Sequence, residues 1–228
     1  MTGPARKPSA DPTRRPGVLL DVDGTLVDSV YWHTIAWQRA FRDHGVEVPA
    51  HVLHRHVGMG GDRLVSAVAG ADVEGELGEA VRRARRERFA PLLDEVRVLP
   101  GADDLLRALR GADFRVSLAS SAEPRELERY VQLLGAETLV DDRTDAGDVD
   151  ETKPAPDLVE LALRRIGGPP AVMVGDAIWD CIAAERAGLE TIGVLSGGTS
   201  AEELLSAGAR QVVPDLVSVQ QALLASEG

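Results

Sequence analysis

The apolar run Gly17-Val18-Leu19-Leu20 leads straight into Asp21-Val22-Asp23-Gly24-Thr25. A strand that ends in two carboxylates restricts what the surrounding chain can become. Like charges two residues apart raise each other's pKa, and burial raises both further. Such a pair persists where a cation or a reaction needs it. Alternation along an extended strand sends both side chains to one face, and Gly24 lets the backbone turn sharply away. The functional reading is a carboxylate nucleophile, an acid/base partner beside it and a divalent cation between them. The plain alternative is an Asp-Gly turn after a strand, which is common.

A second strand end decides between them. Ala171-Val172-Met173-Val174 is another short apolar run, consistent with a buried parallel strand. Gly175-Asp176 follows, with Asp180 four residues later. A helix starting near Ala177 puts Asp176 close to its N-cap and Asp180 in its first turn. Two such strands can gather Asp21, Asp23, Asp176 and Asp180 at one sheet edge. Carboxylates gathered there need a hard cation, and oxygen-only ligands point to Mg²⁺. Capping explains Asp176 alone but not the coincidence of two such ends.

Two further pieces fit. The chain has two lysines against 23 arginines, and Lys153, in Thr152-Lys153-Pro154-Ala155-Pro156-Asp157, is the one outside the N-terminal tail. Its compact ammonium can meet both a phosphate and a carboxylate, where a planar guanidinium fits poorly. Phe114-Arg115-Val116-Ser117-Leu118-Ala119 reads as a strand ending in Ser120-Ser121. A hydroxyl and free backbone N–H groups at such an end suit phosphate oxygens, although a helix-capping serine is the commoner use.

In this order the four pieces resemble the haloacid dehalogenase-like hydrolase superfamily. Its first motif matches Asp21-Val22-Asp23-Gly24-Thr25, its second Ser120, its third Lys153 and its fourth Gly175-Asp176 with Asp180. The resemblance covers residues 17 to 214, and four motifs in order at compatible spacings are specific where one would be weak. It implies a Mg²⁺-dependent phosphatase, the commonest activity of a family that also holds phosphomutases, phosphonatases and dehalogenases.

Composition sets bounds that agree. A chain of 228 residues, 44% hydrophobic, can form one large domain or a core with a smaller insert. Cys181 is the single cysteine, so an intrachain disulfide is excluded. It follows Asp180 on the expected helix and reads as a packing residue rather than a nucleophile. No apolar run approaches the ~20 residues that span a bilayer, and the N-terminus lacks the apolar segment of a signal peptide. A cytoplasmic protein without a membrane partner is the expectation. Residues 1–16, with four prolines and a net charge of +3 inside a chain of net −12, leave −15 on the rest. So acidic a body repels nucleic-acid backbones. The tail itself reads as disordered. No heptad pattern argues for assembly, so a monomer is the default.

Strand-like runs fall near 17–21, 114–119, 137–140, 171–174, 190–195 and 211–213. Helix-like segments intervene near 101–110, 124–134, 155–166, 177–187, 201–207 and 215–225. This alternation predicts an α/β fold, a doubly wound parallel sheet of Rossmann-like type. Ligands collect outside the carboxyl ends of such strands, where all four motifs lie. Between Asp28 and Pro100 the pattern becomes helical, near 29–44, 49–56, 61–69 and 75–94. The expected domains are therefore a core of 17–28 and 100–228, and an inserted helical cap domain of 29–99. A cap closing over the site excludes water and selects the leaving group.

The insert holds every histidine. His51-x-x-His54-x-His56 matches no ordinary zinc spacing, with no cysteine nearby. His33, ten residues after Asp23, occupies a place from which relatives' histidines face the catalytic aspartate; here it can orient Asp23 or contact substrate. Five arginines between Arg82 and Arg88 cannot share one helical face, so most must be solvated. Trp32 and Trp37 read as packing residues, with Trp32, beside His33, reaching the mouth of the site.

The resemblance implies roles for named residues. Asp21 is the nucleophile that forms an aspartyl-phosphate, and Asp23 is the general acid/base. Asp21 and Asp176, with the backbone carbonyl of Asp23, ligate Mg²⁺, and Asp180 supports the metal. Lys153 and Ser120, with Ser121, hold phosphoryl oxygens, and Thr25 shapes the turn and lies against the substrate group. Asp23 argues against dehalogenase chemistry, in which halide leaves unprotonated. An insert without lysine argues against phosphonatase chemistry and lowers the β-phosphoglucomutase-type alternative. The arginine of that branch also falls here at Gly61, with Arg63 close by. The expected reaction is hydrolysis of a small phosphorylated metabolite, such as a sugar phosphate or phosphoglycolate. A phosphomutase, or a non-catalytic phospho-ligand-binding protein, is the alternative.

Overall fold

The protein is described from a computed structural model over residues 15–225. The expected disordered tail therefore lies outside the described residues, apart from Arg15 and Pro16. Those two are tied down: Arg15 pairs with Asp113 at 2.8 Å, and the Pro16 carbonyl accepts from the Arg115 N–H.

Six parallel strands form the central sheet: β1 (Gly17–Leu20), β4 (Arg115–Ala119), β5 (Asp142–Thr144), β6 (Ala171–Gly175), β7 (Glu190–Val194) and β8 (Ala209–Val213). Their spatial order is β5-β4-β1-β6-β7-β8, so β1 lies between β4 and β6. The chain builds outward to one side of β1 and then to the other, and the crevice of such a sheet opens where that direction reverses.

The alternation of β1 is legible in its two faces. Val18 and Leu20 join the cluster built with Leu105, Leu106 and Leu109 of α5 (Ala102–Gly111), Tyr130 of α6 (Pro124–Leu134) and Val219 of α10 (Leu216–Ala225). Leu19 faces the opposite cluster, with Leu158 and Val159 of α7 (Asp157–Arg165) and Ala183 and Ala184 of α8 (Ile178–Arg186). A strand covered on both faces needs no polar alternation, hence its continuous apolar run. Cys181 is fully buried with Leu204 and Ala209, Leu204 lying on α9 (Ala201–Ser206). Burial pushes its thiol up to about 12, which makes it inert.

One strand differs from expectation. The run at 137–140 is a turn, in which the N–H groups of Leu139 and Val140 bond back to the Ala136 carbonyl. The strand falls instead on Asp142–Thr144, where only Thr144 is buried. It is an edge strand, and an edge does not demand apolar side chains on both faces.

The segment inserted after β1 and ahead of α5 holds four helices: α1 (Val30–Asp43), α2 (Ala50–His56), α3 (Gly61–Ala69) and α4 (Ala71–Phe89). They share a cluster of their own around Trp37, Phe41, Leu53, Leu64 and Val81. The fourth begins earlier than expected, with Asp72 and Glu74 in its first turn, where acidic side chains suit the helix dipole. It gives way to a 3-10 turn at Ala90–Glu95, which contains Pro91. The segments entering and leaving this insert pair antiparallel as β2 (Val27–Asp28) and β3 (Arg97–Val98). Among the described residues no helix is long and apolar enough to cross a membrane.

Candidate active site

The carboxyl ends of β1, β4 and β6, with the loop after β5 that carries Lys153, bring the sequence motifs together. Asp21 follows β1, with its backbone N–H donated to the Val174 carbonyl of β6. Gly24 turns the chain at φ +81°, and a Cβ there would stand 2.5 Å from Asp176 Oδ2. Only glycine combines that backbone with that closeness.

Lys153 Nζ is fully buried, 2.6 Å from Asp21 Oδ1 and 2.7 Å from Asp180 Oδ1. Its two carboxylate partners outweigh the effect of burial and hold its pKa above the ordinary lysine value. One carboxylate oxygen from each of Asp21, Asp176 and Asp180 lies within 4.8 Å of the others, all three residues being buried. Burial and the nearby Asp180 push the Asp21 carboxyl up to about 7, against the opposing pull of Lys153. Burial and the charges of Asp21 and Asp180 likewise push Asp176 well up.

This donor set fits a hard divalent cation. It consists of oxygens alone, and three buried carboxylates answered by one lysine leave negative charge to be balanced. Their oxygens are not equally free. Asp180 Oδ1 meets Lys153 and its Oδ2 accepts from the Ala177 N–H at 3.1 Å. Thr25 Oγ1 donates to Asp176 Oδ1 at 2.9 Å, and Lys153 holds Asp21 Oδ1. Asp21 Oδ2 and Asp176 Oδ2 are left for a cation, with Asp180 in support. A Cβ on Gly197 would lie 1.6 Å from Asp176 Oδ2, so this glycine keeps the space that oxygen occupies. The Thr25 hydroxyl donates to Asp176, 151 residues away, rather than within its own turn.

The Asp23 side chain stands apart from this cluster. Ser29 Oγ donates to Asp23 Oδ1 at 2.5 Å, and His33 Nε2 lies 2.7 Å from the same oxygen. Ser120 Oγ reaches Oδ2 at 3.5 Å. Burial pushes this carboxyl up, but His33, by charge and hydrogen bond, and hydrogen bonds from Ser29 and Tyr130 hold it at about 2. The other ring nitrogen decides which form of His33 is present. Arg85 Nη2 lies 2.6 Å from His33 Nδ1. A guanidinium only donates, so Nδ1 accepts and the ring proton sits on Nε2, towards Asp23.

Arg85 was not legible as part of the site. It belongs to the arginine run of α4, yet its side chain is 9% exposed and forms a bidentate pair with Glu126 of α6, itself 9% exposed. The signal was its spacing: Gly78, Val81, Ala84, Arg85 and Phe89 are the buried residues of α4, and Arg85 is the charged member of that face. Trp37 rather than Trp32 lines the cavity over Asp21 and Asp23, while Trp32 packs against the core. Ser120 Oγ accepts the Ala122 N–H at 3.0 Å, and Ser121 Oγ is buried without a hydrogen-bond partner. His54 and His56 meet the carbonyls of Gly197 and Val52.

A family model described as haloacid dehalogenase-like hydrolase matches residues 16–188. The chain is 30% identical over 182 residues to validoxylamine A 7'-phosphate phosphatase of Streptomyces hygroscopicus subsp. limoneus, covering 77% of this chain and 84% of that protein. It is 27% identical over 184 residues to fructose-1-phosphate phosphatase YqaB of Escherichia coli, covering 79% and 97%. A crystal structure of a hydrolase from Pseudomonas syringae superposes with a TM-score of 0.87 at 30% identity, covering 92% of this chain and 99% of that one. With its four motifs converging at the switch point of the sheet, the chain belongs to the haloacid dehalogenase-like hydrolases.

Proposed function

We propose that the protein is a Mg²⁺-dependent phosphatase that hydrolyses a small phosphomonoester through an aspartyl-phosphate. The observation that carries this is the buried set Lys153, Asp21, Asp176 and Asp180, with Asp23 held two residues beyond Asp21 by His33, Ser29 and Ser120. The two relatives named as phosphatases of small phosphorylated compounds support the same reaction class.

Asp21 is the nucleophile: one carboxylate oxygen bonds to phosphorus as the ester P–O bond breaks and its electron pair goes to the leaving alcohol. Lys153 offsets charge on Asp21 and on the phosphoryl oxygens, and the Ser120–Ser121 turn supplies hydroxyl and N–H donors. Asp23 supplies the alcohol's proton. In the substrate-free protein it is ionised, and the approaching phosphoryl dianion raises its pKa towards protonation. In the second half, Asp23 takes a proton from water, whose oxygen bonds to phosphorus as the Asp21 acyl phosphate breaks. Asp21 and Asp176, with the Asp23 carbonyl, would hold Mg²⁺, which when bound offsets the repulsion between carboxylate and phosphoryl group. The insert of 29–99 is read as a cap, since His33 and Arg85 reach the core from its helices. Arg63, close to the place of the mutase branch's arginine, is paired with Glu151, and hydrolysis stays preferred over transfer.

The test is release of inorganic phosphate from a panel of phosphomonoesters with Mg²⁺, beside samples in EDTA. Release that EDTA stops is the expected result. No release from any ester by folded, Mg²⁺-loaded protein would overturn the reading.

A further inference from the structure

The small cavity of about 30 Å³ over Asp21 and Asp23 continues into a larger one of about 460 Å³. The two share Trp37, Met59, Arg85 and Ser121 as walls. The larger cavity opens between α1, α3 and α4 on one side and the loops after β4 and β5 on the other. An ester whose phosphorus sits above Asp21, with its bridging oxygen near Asp23, has this space for its alcohol.

The charges around it are one-sided. Asp62, Glu74, Glu123 and Asp150 line the cavity against two cations, Arg82 and Arg85. Neither cation is free, and three of the carboxylates are paired in turn, Glu74 with Arg82, Glu123 with Arg86 at 3.5 Å and Asp62 with Arg63 at 3.7 Å. Arg82 Nη1 lies 2.8 and 3.0 Å from the two oxygens of Glu74, and Arg85 is held by Glu126. Asp150 is exposed and has no ion-pair partner among the described residues. Two buried polar atoms of the shared wall, Arg85 Nε and Ser121 Oγ, lack hydrogen-bond partners. Unsatisfied buried groups beside a reaction centre are places for a ligand's own polar atoms.

We infer that this cavity selects a neutral or amino-bearing polyol as leaving group and rejects one that carries a second carboxylate or phosphate. The inference rests on the phosphatase reading of Asp21 and narrows it. Hydroxyls and ammonium groups find carboxylate acceptors in the wall, and hydroxyl oxygens find the two idle donors. A second anion faces four carboxylates against two guanidinium groups, an excess that the flanking Arg63 and Arg86, themselves shared with Glu151 and Glu79, do not remove, which is discrimination by repulsion. The inference removes phosphoglycolate and sugar bisphosphates from the candidate substrates.

The test uses esters that differ in leaving-group charge: glycerol 3-phosphate against 3-phosphoglycerate, and fructose 1-phosphate against fructose 1,6-bisphosphate. The neutral member of each pair should show kcat/KM at least about tenfold higher, the equivalent of ~1.4 kcal/mol. Calorimetric binding of the same esters to Asp21→Asn with Mg²⁺ should rank them alike. Because that ranking needs no turnover, absence of hydrolysis would overturn the phosphatase reading separately from this one. Glu74→Gln, which removes one wall charge and leaves Arg82 with Glu79 as its carboxylate partner, should narrow the gap, and Asp150→Lys should narrow it without touching an established contact. Equal or stronger use and binding of the anionic members by the native protein would overturn the inference, as would gaps unmoved by both variants.

Discussion

Removing Glu126 while leaving Arg85 in place strands a guanidinium whose side chain is 9% exposed, with His33 Nδ1 as its other polar contact. Breaking one side of a buried pair costs about 3–5 kcal/mol, because the survivor keeps its charge without compensation. For a chain of this size each kcal/mol moves the melting temperature by roughly 2–4 °C, so Glu126→Ala should lower it by about 6–20 °C. The double variant Arg85→Met, Glu126→Leu removes both charges and should regain much of that loss, so the two single changes should not add. Catalysis should separate from stability in the double variant. Without Arg85 the His33 ring loses the donor that faces Nδ1, so the imidazole that orients Asp23 is held less firmly. Turnover of alkyl phosphates, whose alcohols need a proton, should fall more than turnover of p-nitrophenyl phosphate, whose phenolate leaves without one. Thermal melts and the two rates measure this directly. A single variant melting within about 2 °C of the parent, or a double variant no more stable than either single, would refute the reasoning.

Other consequences follow from the same geometry. Asp23→Asn should lower alkyl phosphate turnover by about 10²–10⁴-fold, the usual range for a general acid/base, and p-nitrophenyl phosphate turnover much less. Gly197→Ala places a Cβ 1.6 Å from Asp176 Oδ2, so it should weaken Mg²⁺ binding in calorimetric titration while leaving the apo fold assembled. In metal-free protein, Asp21 at about 7 and the raised Asp176 bind protons in the folded state that the unfolded chain has released. Apo stability should therefore fall as pH rises from about 4 through 7. Saturating Mg²⁺ should reverse that fall, adding about 2.7 kcal/mol at a hundredfold excess over Kd. Melts in EDTA and in Mg²⁺ across this pH range check both signs.

The parts of the fold that the sequence displays most clearly are those buried on two sides. Gly17–Leu20 and Ala171–Gly175 had to be apolar throughout, and their ends had to carry the carboxylates, so both strand and site were legible there. Asp142–Thr144 was not, because an edge strand carries no such pattern while the neighbouring Leu139-Val140 turn, packed on the core, imitates one. Long-range polar contacts were harder still. Thr25 to Asp176 spans 151 residues, Arg85 to Glu126 spans 41, and neither partner advertises the other. Arg85 was masked by four arginines around it that are more exposed, although the face it occupies on α4 marked it out.

The central claim is that Asp21 carries the phosphoryl group. Rapid mixing with a reactive ester and Mg²⁺, acid quench and mass spectrometry of the peptides would locate it. A phosphoryl adduct on the peptide containing Asp21, formed at a rate no slower than turnover and absent from Asp21→Asn, is the predicted result. Steady turnover by Asp21→Asn, or an adduct on another residue, would contradict the account.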